Sequence, residues 1–184
     1  AYVDEGIALR QGGIELPIMV INADPSAYGR MLRFNLEPEL FSRSSVNEFL
    51  NVLDANYNGS VPFNIHLKVE TGMHRLGLEE ADIDFAIARI NKNKGAKVAS
   101  IFSHLAASDV AAHDDFTKDQ IAKFKRVAAR FTYVLGYQPL LHITNTSGIA
   151  RFKDAQFDMV RLGIGLYGVA NSPAEQQNLA TVTR

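Results

Sequence analysis

Several apolar runs in this sequence end on side chains suited to binding and proton transfer: Arg43, the segment Lys68 to Arg75, His104, Asn145 with Thr146, and Arg161. Guanidinium and ammonium groups give fixed charge and donors only, histidine titrates near neutrality, and a hydroxyl or amide both donates and accepts. Any one of these would signify no more than a polar residue satisfied where a strand meets its loop. Five in succession carry more weight, because in an α/β barrel the carboxyl ends of the strands converge on one rim, where active sites form.

Other chemistries lack support. No GxGxxG follows a strand and no GxxxxGK[ST] occurs, so neither a dinucleotide nor a nucleoside triphosphate site has a motif. The five histidines, His66, His74, His104, His113 and His142, do not have HExxH spacing, and there is no cysteine, so no metal site is expected. His113, beside Asp114 and Asp115, reads as solvated loop. Nineteen basic against twenty acidic residues give a net charge of -1, which excludes a basic footprint for nucleic acid or an acidic membrane. A hydrophobic content of 47%, no apolar run of membrane-spanning length and zero cysteines fit a soluble protein of a reducing cytoplasm. No signal-peptide pattern or methionine opens the sequence, and Ala1 reads as the end of a strand.

The elements that must position these residues alternate regularly. Strands are expected at 17–22, 39–43, 64–70, 98–104, 140–146 and 159–167. Between them, Ser45 and Glu48 read as a capping box for a helix with Val46, Phe49, Leu50 and Leu53 on one face. Ile83, Ala86, Ile87 and Ile90 repeat that spacing, with Gly95 placed to end the helix. Thr117 and Gln120 resemble another capping box, ahead of Ile121, Phe124, Val127, Ala128 and Phe131, with Gly136 as the stop. Asp24-Pro25 reads as an N-cap and first-turn proline, and Ile7 and Leu9 as a short helix stopped by Gly12 and Gly13. Repeated βα units in one domain imply a mostly parallel sheet, either closed into a barrel or left open. The 184 residues fall short of the roughly 250 of a complete eight-stranded barrel.

Four segments then carry a family likeness: Lys68-Val-Glu-Thr-Gly-Met-His-Arg75-Leu-Gly77, Phe102-Ser-His104-Leu-Ala106, His142-Ile-Thr-Asn145-Thr-Ser147 and Val160-Arg161-Leu-Gly163-Ile-Gly-Leu-Tyr-Gly168. In this order they resemble the signature segments of bacterial alanine racemases, over nearly the whole chain. The resemblance implies an incomplete (β/α)8 TIM barrel, strands two to eight with the first strand missing. The chain, residues 1–184, would be part of the N-terminal pyridoxal-phosphate-binding barrel, without the C-terminal β domain.

By the same resemblance the cofactor is pyridoxal phosphate, with alanine as substrate, a homodimer as the assembly and D-alanine for peptidoglycan as the product. Thr146, Gly163 and Ile164 would hold the phosphate, with Asn145 framing it. Arg161 would face the pyridine nitrogen, His142 would hold Arg161, Arg75 would donate to the phenolic oxygen, and His104 would line the ring. Lys68 looks like the family's lysine that is often carbamylated to anchor that arginine. A guanidinium donates only, so the ring nitrogen opposite Arg161 must accept and stay unprotonated, which weakens the cofactor as an electron sink. Leu162 stands where the family often has proline, and Thr146 where it often has serine. The family's Schiff-base lysine precedes a Tyr-Gly on the first strand, whereas Ala27-Tyr28-Gly29 has no such lysine, and the partner tyrosine is expected beyond Arg184. This chain alone is therefore expected to be inactive. Another barrel-type pyridoxal-phosphate racemase, or a non-catalytic cofactor-binding or interaction module, would share these features.

Overall fold

The computed structural model describes residues 2–177 and 179–182; Ala1, expected at the end of a strand, lies outside them. Helix and strand alternate as α1 (Val3–Gln11), β1 (Met19–Val20), α2 (Tyr28–Arg33), β2 (Glu37–Leu40), α3 (Arg43–Asn56), β3 (Phe63–Lys68), α4 (Ile83–Asn91), β4 (Ala96–Phe102), α5 (Asp114–Leu135), β5 (Leu140–His142), α6 (Thr146–Arg151) and α7 (Pro173–Gln176). Every strand pairs in parallel with the next in sequence, giving one five-stranded sheet in the order β1-β2-β3-β4-β5. This is an α/β fold consistent with part of a TIM barrel. Among the described residues no helix is long and apolar enough to cross a membrane.

The helices cover one face of the sheet. Val46, Phe49, Leu50 and Leu53 of α3, Ile83, Ala86 and Ile90 of α4, and Phe124, Val127 and Phe131 of α5 are buried in one cluster with Leu40, Ile65, Leu67, Val98 and Ile101 of the strands. Burying each such side chain is worth about 1.5–3 kcal/mol, which fixes register because a one-residue slip would turn the strand's apolar set away from the helices. Gly136 ends α5 in the left-handed region at φ 72°, as its position suggested. Asp24 caps the turn at Pro25–Ala27, its carboxylate accepting from the Ser26 N–H at 2.8 Å.

Some boundaries differ from those read in the sequence, each for a local reason. The second strand runs over Glu37–Leu40 and not 39–43, and Arg43, three residues past its end, opens α3 with its guanidinium 4.4 Å from the centre of the Phe85 ring. The cap of α3 is Ser42, with Ser45 at the third position, because Ser42 is the residue with extended backbone; Glu48 instead accepts from Ser44 at 2.5 Å. Thr117 and Gln120 lie inside α5, which begins at Asp114 with two acids in its first turn, the favourable end of the helix dipole. Gly95 lies four residues past the last residue of α4, immediately before β4. The stretch 159–167 forms no strand. It touches β5 and its extension through Met159 N–H to Leu141 and Arg161 N–H to Thr144 carbonyls, then turns as a 3-10 helix at Ile164–Tyr167. Gly163 and Gly165 disfavour extended pairing there.

Candidate active site

The sheet face opposite the helices is polar. The pairings Glu39↔His66, His66↔Ser100, Lys68↔Phe102 and Phe102↔His142 put Glu39, His66, Lys68, Ser100, Phe102 and His142 side by side on it. Lys68 Nζ lies 3.0 Å from Glu39 Oε1, with side chains 7% and 0% exposed, an ion pair outside hydrogen-bonding alignment. A buried charge needs such a partner.

Arg161 is the hub. One terminal nitrogen donates to His142 Nδ1 at 2.5 Å, and the other to the Ser103 carbonyl at 2.5 Å and the Ile143 carbonyl at 3.3 Å, while His104 Nδ1 stands 3.5 Å away. Its guanidinium carbon lies 5.2 Å from the centre of the Phe102 ring, which stacks on His142 at 4.8 Å and 5°. Burial lowers the Arg161 pKa to about 10, against the pull of the Glu39 carboxylate, so it stays charged at neutral pH. Burial first, and Arg161 second, push His142 down to about 3. Burial, then the charges of Arg161, Arg75 and Lys68, bring His104 to about 4, so both rings are neutral acceptors at pH 7.

A cavity of about 290 Å³ opens beside the hub, lined by His104, Asn145, Thr146, Arg161, Leu162, Gly163, Ile164 and Asn171. Six of the seven sequence-selected cofactor-binding residues thus meet in one place. Thr146 Oγ1 collects two backbone donors, Gly163 N–H at 3.1 Å and Gly165 N–H at 3.4 Å. A side chain at Gly165 would strike Thr146 Cγ2 at 2.7 Å, so this close approach requires glycine. Asn145 is committed to structure: its Oδ1 accepts from Gly148 N–H at 3.0 Å as the cap of α6 and from Ser108 Oγ at 2.7 Å, so it frames the cavity.

Arg75 is not in that cavity. It is exposed in a neighbouring one of about 300 Å³, with Phe41, Ser42, Glu70 and His74, although its charge still reaches His104. The loop that presents it is closed on itself: Leu78 N–H donates to the Lys68 carbonyl at 2.8 Å, Glu70 N–H to the Leu78 carbonyl at 3.0 Å, and Glu70 Oε2 accepts from His74 N–H at 2.9 Å. Tyr28, in the tyrosine-glycine echo, is buried in the core edge-on to Phe49 at 5.2 Å.

Several contributors have no counterpart in the motifs. Glu37 and Ser100 bond to His66, and Glu39 pairs with Lys68. Gln120 holds the His104 carbonyl at 3.1 Å and the Ala106 N–H at 3.0 Å. The available signal was the polar alternation of Glu37 with Glu39 and of Asn64, His66 and Lys68, which is a strand's own period.

The profile of the family described as "Alanine racemase, N-terminal domain" matches residues 1–171. The alanine racemase of Geobacillus kaustophilus (strain HTA426) is 33% identical over 179 residues, covering 94% of this chain and 44% of its own length. That of Thermodesulfovibrio yellowstonii is 36% identical over 168 residues, covering 91% and 43%. The chain therefore spans less than half the length of these curated relatives. Among solved structures, the alanine racemase from Bartonella henselae with covalently bound pyridoxal phosphate superposes with a TM-score of 0.77 at 30% identity, covering 91% of this chain and 46% of that one. The alanine racemase from Corynebacterium glutamicum, at 20% identity, shows the same fold with a TM-score of 0.85 over 97% of this chain and 50% of its own.

Proposed function

The chain belongs to the alanine racemase N-terminal domain family, and from that premise we propose that it is the cofactor-holding part of an alanine racemase that interconverts L- and D-alanine. With the strand end expected at Ala1, its five strands and the segment 159–167 would be strands two to eight of a (β/α)8 barrel, in a homodimer that supplies D-alanine for peptidoglycan. The carrying observation is the single cavity that unites Thr146, Gly163 and Ile164 with Arg161 and His104.

The donor set fits pyridoxal phosphate. No carboxylate lines the cavity; a hydroxyl and glycine backbone stand at one part of it and a charged guanidinium at another. Backbone N–H groups and a hydroxyl are the usual grip on a phosphate at this rim of a barrel. When bound, the cofactor supplies acidification of the α-hydrogen of an amino acid joined to it. The chain's own residues would then do the following. Thr146 and the N–H groups around Gly163 and Ile164 bind the phosphate, Asn145 shapes the turn beneath, and His104 lines the ring as a neutral acceptor. Arg161 donates toward the ring nitrogen and holds it unprotonated, which suppresses transamination. His142 orients Arg161, and Arg75 donates to the phenolic oxygen from the adjoining loop. Lys68 acts on this cluster through its charge. Neither a lysine nor a tyrosine lines the cavity, so these residues alone are expected not to racemise alanine, which needs proton transfer on both faces of the α-carbon.

Arg161→Glu in the intact protein tests this reading. A carboxylate there favours a protonated ring nitrogen, so the cofactor absorbance shifts and transamination rises relative to D-alanine formation. Unchanged absorbance with an unchanged ratio of the two reactions rules out the contact.

A further inference from the structure

A continuous buried line of hydrogen bonds crosses the polar face of the sheet, one residue from each of four adjacent strands. Glu37 Oε2 on β2 lies 2.7 Å from His66 Nε2 on β3, and His66 Nδ1 lies 2.6 Å from Ser100 Oγ on β4. Ser100 Oγ is 3.0 Å from His142 Nε2 on β5, and His142 Nδ1 is 2.5 Å from the Arg161 guanidinium. Glu37, His66, Ser100 and His142 are all buried.

We propose that Glu37 and Ser100 are positioning residues for Arg161, acting through His66 and His142 to set one direction for every hydrogen bond in the line and so to hold the guanidinium at the cavity. The inference rests on the reading of Arg161 as the group that faces the cofactor.

Donor counting fixes the direction from both ends. Arg161 can only donate, so His142 Nδ1 accepts and the proton of this neutral ring sits on Nε2, pointing at Ser100 Oγ. Ser100 thereby accepts from His142, and its own hydroxyl donates to His66 Nδ1. His66 then carries its proton on Nε2 and donates to Glu37, whose other oxygen accepts from Asn64 Nδ2 at 2.9 Å. Starting from Glu37, an acceptor only when ionised, gives the same assignment. If His66 were doubly protonated, Ser100 would receive two donors and its hydroxyl proton would have no acceptor in the line. Hydrogen bonds from His66 and Asn64 hold the Glu37 carboxyl below its ordinary range against the effect of burial, in keeping with an ionised end. Each ring nitrogen and the Ser100 hydroxyl proton has one assigned role, so the rings are fixed in orientation.

The test reads imidazole tautomers by nitrogen-15 NMR in the intact protein without cofactor. In the unsubstituted protein, His66 and His142 are both expected neutral, with a protonated Nε2 and a bare Nδ1; a protonated Nδ1 on either ring overturns the proposal, whatever the variants do. With Arg161→Met the near-end donor is gone, yet His142 is expected to keep its tautomer because the Glu37 end still dictates it. Adding Glu37→Leu to Arg161→Met is expected to give a mixture of tautomers, whereas adding Glu37→Gln, which retains an acceptor oxygen, is expected to preserve one. A His142 tautomer indifferent to Glu37→Leu in the Arg161→Met background refutes the coupling. In the cofactor-loaded protein Ser100→Ala is expected to lower kcat about ten-fold with KM little changed, the scale on which partners of an oriented group act, and an unchanged kcat refutes the positioning role. Absence of D-alanine formation by the intact, unsubstituted, cofactor-loaded protein, which carries more than the described residues, would sink the racemase reading while leaving the tautomer pattern intact, so the two failures are distinguishable.

Discussion

Replacing Lys68 by methionine isolates the buried pair that underlies the polar face. At 3.0 Å and an effective dielectric of about 20, the gross attraction between Lys68 and Glu39 is about 5–6 kcal/mol. Desolvation of both groups offsets most of that, so the pair's net contribution is small, but removing one partner leaves the other charge buried alone. Glu39 is 0% exposed at its side chain, and Lys68→Met should therefore cost about 3–5 kcal/mol of folding free energy. Methionine matches the lysine stem in length, which keeps a cavity term out of the comparison. Glu39→Leu combined with Lys68→Met should recover all but about 1 kcal/mol, because the one further bond lost is the Asn22 N–H to Glu39 Oε2 at 2.6 Å, and Asn22 is exposed and can turn to water. Urea unfolding followed by circular dichroism gives the cycle. A single variant that loses less than about 1 kcal/mol, or a double variant as unstable as the single one, would refute this account of the pair. The same geometry bears on lysine modification: a carbamate needs the neutral amine and would set a second anion against Glu39. Carbon-13 NMR in labelled bicarbonate is accordingly expected to show no carbamate on Lys68.

Thr146→Val keeps the side-chain volume and deletes the oxygen that collects the Gly163 and Gly165 N–H groups, so the dissociation constant for pyridoxal phosphate, measured by absorbance titration, should rise about ten-fold. His142 near 3 and His104 near 4 both lie below the ordinary 6.5, so the unfolded chain takes up their protons first. Stability from these groups is complete above about pH 6.5 and falls with pH by up to about 1.4 kcal/mol per unit for His142, less for the part-exposed His104, levelling near pH 4 for His104 and near 3 for His142. Urea midpoints across that window should fall more shallowly in His142→Gln; an equal slope is the contrary result. Gly77→Ala puts a methyl 2.5 Å from the Glu70 backbone nitrogen at φ +153°, and should lower stability by about 1–3 kcal/mol and loosen the loop that carries Arg75, both measurable by thermal melting and by amide exchange at 70–78.

The helices were legible wherever their apolar period was clean: Val46, Phe49, Leu50 and Leu53 face the core as spaced, as do Ile83, Ala86 and Ile90. Their starts were less so, since Ser42 and Ser45 both fit a cap and only backbone conformation distinguishes them. The strand at Glu37–Leu40 was expected two residues late, at 39–43, because proline is disfavoured inside a paired strand and Glu37 and Glu39 give no apolar alternation. Those acids face the buried polar side of the sheet, which a hydrophobicity pattern cannot register. His104, Thr146, Arg161, Gly163 and Ile164 were found through motifs and do meet in one cavity. Glu37, Ser100 and Glu39 escaped because their role exists only across strands, in pairings that join residues about thirty positions apart. Asn145 was expected to frame the site, and it lines the cavity while its Oδ1 accepts from the Gly148 N–H at the cap of α6 and from Ser108.

The way each cation is compensated separates its roles. Lys68 has a carboxylate in direct contact that matches its charge, although that charge still bears on His104. Arg161, among the described residues, contacts only neutral acceptors, namely the carbonyls of Ser103, His142 and Ile143 and two histidine rings. Its nearest carboxylate along the hydrogen-bonded line is Glu37, three side chains away. A fold selecting for stability alone would replace such a guanidinium with an apolar group, since neutral partners satisfy its hydrogen bonds but leave its charge unmatched. Burial has brought its pKa down only to about 10, so the charge persists at neutral pH and projects into a cavity without a carboxylate. An unmatched cation held rigidly by five acceptors is the electrostatic complement of an anionic, acceptor-bearing ring, and substituting Arg161 by lysine tests this directly. Lysine keeps the charge but cannot span the same acceptors, so cofactor affinity should fall less than the preference for racemisation over transamination; an equal fall in both would mean that charge alone matters at this position.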